Sequence, residues 1–369
     1  MLLVLEQGLD ESKCKSVIDT LRQFGVEAEL SVSSTKTVVF VHSDVRSQPT
    51  HKFSQIEGVA RVIRISPTCP LTLSDSERPV DLQGTNRSES TVTIGGGAAP
   101  VVIAGPCSVE GLDQILELAR RVKVAGATVL RGGAFKPRTS PYEFSGLGDE
   151  ALSYLKEARR LTGMPVVTEV MCTEQVEKAC EFVDMLQIGA RNMYNYDLLK
   201  VVGSVGKPVL LKRGISATID EFLHAVEYLL LAGCNQVVLC ERGIRTYEPR
   251  TRNTLDLSAV PLLKSLTGMP VVVDPSHATG KRSLIRPMSR AAIAGGADGL
   301  MIEVHCTPDK SISDAEQAID PNELGQISSD ATTIYDALKS IDHPTPTDDD
   351  RNTSGSRPRL VVACASPTK

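Results

Sequence analysis

The sequence predicts an α/β protein: a (β/α)8 TIM barrel preceded by a small ferredoxin-like α+β domain. Three observations lead there. From Pro100 onward, short apolar strand signals alternate with helical stretches eight times over about 240 residues. Before that, the first 65 or so residues read βαββαβ. Charged and metal-ligating residue types also gather just after the strand signals, on the rim where barrel enzymes carry their active sites. An open doubly wound sheet is the alternative, but no GxGxxG turn follows the first of the eight strands.

Residues 1–66 form the first unit. Leu2 to Leu5 is strand-like. Asp10 to Phe24 is helical, with Cys14, Val17, Ile18 and Leu21 at helical spacing and Gly25 as the stop. Val26, Ala28, Leu30 and Val32 alternate as a half-buried strand does, and Thr37 to His42 is a second such run. A short helix is expected after Pro49, and Val59 to Ile65 closes the unit as a strand. Residues 67–99 are a polar, Ser-rich connection with one short barrel-capping strand at Thr91–Ile94.

In the barrel, residues 100–340, the strand signals are Val101–Ala104, Thr128–Leu130, Pro165–Val170, Met185–Ile188, Val209–Leu211, Gln236–Leu239, Val271–Asp274 and Gly299–Glu303. Helices are expected between them, among others at Leu112–Val124, Glu150–Leu161, Ile219–Leu231 and Pro287–Ala294. Gly126, Gly233 and Gly296 stand where left-handed C-terminal caps are needed. The loop signature TGMPVV occurs twice, at 162–167 and 267–272. Residues 341–369 are rich in Pro, Asp and Ser and read as a disordered tail.

Composition bounds the function. The chain has 369 residues and a net charge of -5, which gives no electrostatic support to a nucleic-acid or membrane-surface role. Nine scattered Cys without a CxxC pair argue for a reducing, cytoplasmic setting. The N-terminal apolar run breaks at Glu6, too early for a signal peptide. No run approaches the ~20 apolar residues of a membrane span.

The rim carries two chemistries. Arg131, Lys136 and Arg138 fall within eight residues, stiffened by Gly132, Gly133 and Pro137, with no acid until Glu143. Arg191, Lys212 and Arg242 follow later strands. So many cations in a net acidic chain suit a substrate bearing phosphate and carboxylate. The other half offers ligands: the Cys107 thiolate, the His277 imidazole and the Glu303 and Asp314 carboxylates. That S, N, O, O set suits a borderline first-row divalent ion and is too soft for magnesium. Singly, each has an ordinary reading: a packed Cys, a hydrogen-bonded loop His, a partner for a rim Arg. Their conjunction on separate strand ends carries the inference. Cys172, Cys180, Cys234, Cys240 and Cys306 are assigned to packing.

AGPCSVE (104–110), RGGAFKPRTSPYEFSGLG (131–148), QIGARNMYNYDLL (187–199), LLKRG (210–214), CERG (240–243), DPSH (274–277), IEVH (302–305) and SDAEQ (313–317) together resemble the 3-deoxy-D-arabino-heptulosonate 7-phosphate (DAHP) synthases. The likeness covers residues 100 to about 335, and the first unit resembles the regulatory extension of one subgroup. It implies condensation of phosphoenolpyruvate with erythrose 4-phosphate at the entry of the shikimate pathway. It also implies a divalent cation (Mn, Fe, Co or Zn) on Cys107, His277, Glu303 and Asp314. Phosphoenolpyruvate would lie on Arg131, Lys136, Arg191, Lys212 and Arg242, and the aldose phosphate on Arg138 and Thr139. Lys136 would shuttle a proton, and Cys107 and His277 would belong to the catalytic centre. Feedback by an aromatic amino acid and a homo-oligomer (dimer or tetramer) are further implications. The His-X-Ser pattern of tyrosine-responsive relatives is here Glu29, Leu30, Ser31. The nearest alternative is 3-deoxy-D-manno-octulosonate 8-phosphate synthase, whose second-strand loop reads Lys-Ala-Asn-Arg-Ser; here it is Lys136, Pro137, Arg138, Thr139.

Overall fold

The chain begins with β1 (Leu2–Leu5), α1 (Glu11–Gln23), β2 (Ala28–Val32), β3 (Thr37–Val41), α2 (Thr50–Ser54) and β4 (Val59–Ile63), the expected order. A computed structural model describes residues 1–342 except 7, 33–36, 44, 46, 47, 64–68, 75, 85–90, 137–141 and 143. The four strands form one sheet in the order β2-β3-β1-β4, with antiparallel pairing throughout. Asp10 caps α1 by accepting from the Lys13 amide at 2.8 Å. Cys14, Val17 and Leu21 then bury one helical stripe among Leu3, Val39 and Phe53. Glu29 and Ser31 lie exposed on β2, and the Glu29 carboxylate stands 3.4 Å from His42 Nε2.

Two short strands follow, β5 (Val80–Leu82) and β6 (Val92–Ile94), paired antiparallel. Only β6 is legible in the sequence. Val80 and Leu82 give β5 just two apolar positions around Asp81, too short an alternation to stand out from a polar stretch. Together with Ile94 they plug the barrel, packing on Val101, Met185, Val238 and Val272 inside it.

The barrel strands are β7 (Val101–Gly105), β8 (Val129–Arg131), β9 (Val166–Val170), β10 (Met185–Ile188), β11 (Val209–Lys212), β12 (Val237–Glu241), β13 (Val271–Val273) and β14 (Gly299–Glu303). All eight are parallel, and β14 pairs with β7 to close the ring. Helices α3 (Leu112–Val124), α4 (Asp149–Thr162), α5 (Val176–Cys180), α6 (Tyr196–Ser204), α7 (Ile219–Leu231), α8 (Ala259–Thr267), α9 (Pro275–Thr279), α10 (Arg282–Ala294) and α11 (Pro321–Asp342) lie among and after the strands. Glycine ends several of them in the left-handed region, as at Gly126 (φ 94°), Gly233 (φ 107°) and Gly296 (φ 88°).

Helix α10 starts five residues before the expected Pro287, which lies inside it. Tertiary contacts override the missing amide: Ile285 is fully buried, and Arg286 pairs with Asp330 of α11 at 2.7 Å. Residues 343–369, expected as a disordered tail, lie outside the described part.

Strand alternation places the site. Ile103, Val129, Val167, Met185, Leu210, Cys240, Val272 and Met301 all belong to the cluster that fills the barrel interior. Two residues further along each strand, the same face carries Gly105, Arg131, Glu169, Gln187, Lys212, Arg242, Asp274 and Glu303. One face is therefore apolar at the bottom, while six of its eight residues at the top are ionisable. Strand residues of the opposite parity, such as Leu130, Leu186, Leu211 and Ile302, pack in the main core cluster.

Candidate active site and metal centre

Cys107, His277, Glu303 and Asp314 come together. One ligand atom from each lies within 4.8 Å of the others. Cys107 follows β7, Glu303 ends β14, His277 sits in α9 just after β13, and Asp314 lies in the loop after β14. Asp314 Oδ2 is 3.0 Å from Cys107 Sγ. Glu303 Oε1 is 3.1 Å from His277 Nε2 and makes no hydrogen bond, although it is buried. His277 Nδ1 faces Asp274 Oδ2 at 2.7 Å. With Nδ1 engaged by Asp274, Nε2 is the ring atom left to face the cluster. Nε2, Glu303 Oε1, Asp314 Oδ2 and Cys107 Sγ lie together, a set of atoms that a bound cation would satisfy. The residues thus fit a divalent ion, with one soft ligand, one imidazole and two carboxylates.

The electrostatics agree. Burial, then Glu303, pushes the Cys107 thiol up to about 12 in the absence of a cation. Burial alone would raise Glu303 and Asp274. Instead His277 and Arg131 at the first, and His277 and Lys212 at the second, hold both well below the usual carboxylate range. Burial works to lower Lys136, but Cys107, Glu169 and Glu303 outweigh it, so its pKa is raised and it keeps its proton. Lys136 Nζ donates to Cys107 Sγ at 2.8 Å. Gly133 permits this approach: a Cβ there would stand 2.2 Å from the Cys107 carbonyl oxygen and 2.9 Å from Lys136 Cδ.

Beside the cluster opens a cavity of about 710 Å³, walled by Lys136, Arg191, Lys212, Arg242, His277 and Asp314 among others. Four of the expected cations therefore share one space. Arg131 does not line it. The guanidinium lies buried to one side, 3.3 Å from Glu303 Oε1, with one nitrogen lacking any partner. Arg138 and Thr139 lie outside the described residues.

Sequence reasoning missed several groups. Arg245, Arg252 and Asn253 also line the cavity. They sit in the long loop after β12, away from any strand end. Asp274 carries more than its place at the head of DPSH suggests: it binds Lys212 at 2.5 Å as well as His277. Conversely, Arg213 and Glu241, rim residues by position, pair with each other at 2.9 Å, and Arg213 also holds Asp256 at 2.8 Å. Both have the outward parity, a signal that was available in the sequence. His305 stands 3.5 Å from Glu110 and takes no part in the cluster.

A closed parallel barrel with a cationic cavity beside a four-ligand cluster defines a class: a β/α-barrel enzyme for small anionic substrates, with a cluster whose residues fit a divalent ion. Comparison with known proteins narrows it. Residues 77–339 match the DAHP synthetase I family, and residues 1–67 match the DAHP synthase ferredoxin-like domain. A phospho-2-dehydro-3-deoxyheptonate aldolase of Thermotoga maritima is 43% identical over 338 residues, 92% of this chain and 98% of its own length. The crystal structure of a DAHP synthase from the same organism superposes with a TM-score of 0.77 at 41% identity, covering 91% of this chain and 97% of that one. A 2-dehydro-3-deoxyphosphooctonate aldolase of Desulfosudis oleivorans is 30% identical over 246 residues, only 62% of this chain and 88% of its own length. The chain belongs to the DAHP synthetase I family, and its activity is that of a 3-deoxy-7-phosphoheptulonate synthase, a transferase of aromatic amino acid biosynthesis.

Proposed function

We propose that phosphoenolpyruvate and erythrose 4-phosphate meet in the 710 Å³ cavity, beside a divalent cation held by Cys107, His277, Glu303 and Asp314. The observation that carries this reading is the convergence of four ligand atoms within 4.8 Å at the wall of a space lined by Lys136, Arg191, Lys212 and Arg242. Mn, Fe, Co and Zn are the ions the ligand chemistry favours.

In the overall reaction, C3 of phosphoenolpyruvate bonds to the aldehyde carbon, water adds at C2, and the C–O bond to the phosphoryl group breaks, releasing phosphate. A bound cation would supply Lewis acidity toward the aldehyde oxygen. The chain's own residues do the rest. Arg191, Lys212 and Arg242 bind the carboxylate and phosphate of phosphoenolpyruvate; Arg131 supports them from beside Glu303. Arg138 and Thr139 take the phosphate of the aldose. Both substrates are polyanions, and fixed cations offset their repulsion while aligning the reacting carbons, an effect worth roughly 7–11 kcal/mol at best. Lys136 Nζ gives a proton to the new hydroxyl oxygen and regains one from the water that adds at C2.

The first unit supplies none of these groups, and we assign it the role of sensing tyrosine or phenylalanine. A ligand can inhibit through it only by binding a closed arrangement better than an open one. Residues 1–66 should therefore be dispensable for turnover and required for inhibition. A homodimer or homotetramer in the cytoplasm completes the proposal. The test is phosphate release from phosphoenolpyruvate with erythrose 4-phosphate against arabinose 5-phosphate. Faster turnover of arabinose 5-phosphate would refute the assignment.

A further inference from the structure

Three of the four cluster residues are tied to one residue, Arg252, that contributes no ligand. Arg252 Nη1 donates to Asp314 Oδ1 at 3.1 Å and to Gln317 Oε1 at 2.7 Å. Gln317 is 2% exposed, and its Nε2 donates to Glu303 Oε2 at 2.6 Å. One guanidinium nitrogen thus engages the outer oxygen of Asp314 directly and that of Glu303 through a buried amide. The other oxygens, Asp314 Oδ2 and Glu303 Oε1, are left facing Cys107 and His277. The third tie is through the backbone. Arg252 N donates to Thr279 O at 3.0 Å and Asn253 N to Ala278 O at 2.8 Å, in the helix that carries His277. Asn253 Nδ2 adds a bond to the His277 carbonyl at 3.0 Å. Asp314 also needs holding, since it is the one non-glycine residue with positive φ (56°) among the described residues.

We propose that Arg252 and Gln317 are positioning residues that set the two carboxylates for the cation. This rests on the reading that the cluster binds a divalent ion. Partners that hydrogen-bond the ligands of a metal and fix their orientation are worth about 10- to 100-fold in metal affinity. The bland alternative is a half-exposed Arg–Asp pair, worth little to stability or binding. The two differ in sign. Arg252 is a positive charge next to a cation site, so by charge alone its removal tightens metal binding. Positioning demands that removal weaken it.

The experiment titrates the EDTA-stripped full-length chain with cobalt(II), following the thiolate-to-cobalt band and the d–d spectrum. It compares the unaltered protein with Arg252→Ala, Arg252→Lys and Gln317→Met. Gln317→Met is neutral and similar in size, so it isolates geometry from charge. Expected are a loss of about 10-fold or more in cobalt affinity for Arg252→Ala and Gln317→Met, an altered d–d spectrum in both, and partial recovery in Arg252→Lys. Calorimetry of the metal-free variants should show native melting for Arg252→Ala, whose side chain is 40% exposed. Unchanged or tighter cobalt binding in Arg252→Ala, with Gln317→Met like the parent, would overturn the positioning role alone. Absence of a thiolate-to-cobalt band in the unaltered chain would overturn the metal centre and this inference with it.

Discussion

Replacing Asp274 by Asn tests how the site is held. The carboxylate is fully buried. Its Oδ2 receives Lys212 Nζ at 2.5 Å and His277 Nδ1 at 2.7 Å, while Oδ1 receives the His277 amide at 2.9 Å. Asn keeps the last bond only with its NH2 group turned toward Lys212 and His277 Nδ1. Whichever way it turns, it presents an NH2 group to one or two donors and leaves the Lys212 ammonium buried without a counter-charge. Removing one partner of a buried pair costs about 3–5 kcal/mol. For a domain of this size, each kcal/mol shifts the melting temperature by roughly 2–4 °C, so a fall on the order of 10 °C is expected. The second effect is on His277, which loses the group orienting its ring; cation affinity should drop about 10- to 100-fold. Calorimetry of the metal-free protein reads the first effect and cobalt titration the second. Adding Lys212→Met removes the orphaned ammonium, so the double variant should regain most of the stability while staying inactive. A single variant that melts within about 2 °C of the parent and binds cobalt normally would refute the reasoning.

EDTA should abolish turnover, with Mn, Co, Fe or Zn ions restoring it and magnesium restoring little; Cys107→Ala should lose the thiolate-to-cobalt band, and full activity of that variant in EDTA would sink the ligand assignment. Arg138→Ala should raise the KM for erythrose 4-phosphate far more than that for phosphoenolpyruvate, and Arg242→Ala the reverse; equal effects in steady-state kinetics would mean the substrate division is wrong. Asp330 is bridged by Arg286 at 2.7 Å and Arg290 at 2.8 Å, which hold its carboxyl down from 3.8 to about 2. A depressed carboxyl stabilises the fold above its ordinary pKa, and that stability is lost as pH falls through about 2. Discounted for solvent around both guanidinium groups, Asp330→Asn should cost about 1 kcal/mol near neutrality, less in high salt, and nothing below the folded pKa, as read by urea unfolding at each pH.

Much of the site was legible because a strand has a period of two. Counting two residues on from Val129, Leu210, Val272 and Met301 leads to Arg131, Lys212, Asp274 and Glu303, and barrel topology puts all such positions on one rim. The same count would have separated Arg213 and Glu241, which face outward and pair with each other. The plug strand at Val80–Leu82 was not legible, because two apolar residues around an Asp carry no periodicity of their own. Nor was the start of α10, where the pairing of Arg286 with Asp330 outweighs the proline signal.

The sequence by itself determined the alternation that builds the barrel, the order of the rim residues and the residue types able to hold a cation and two phosphates. Only the tertiary structure decided which groups touch. Ring closure sets β14 against β7 and so brings Asp314 to Cys107, 207 positions away in the chain. It set Arg131 beside Glu303, recruited Arg252 from a loop with no pattern to read, and aimed Gln317, the last residue of SDAEQ, at Glu303. The physical reason is that a strand imposes its direction on every side chain locally. A loop side chain takes its direction from whatever partner the closed fold places within hydrogen-bond reach.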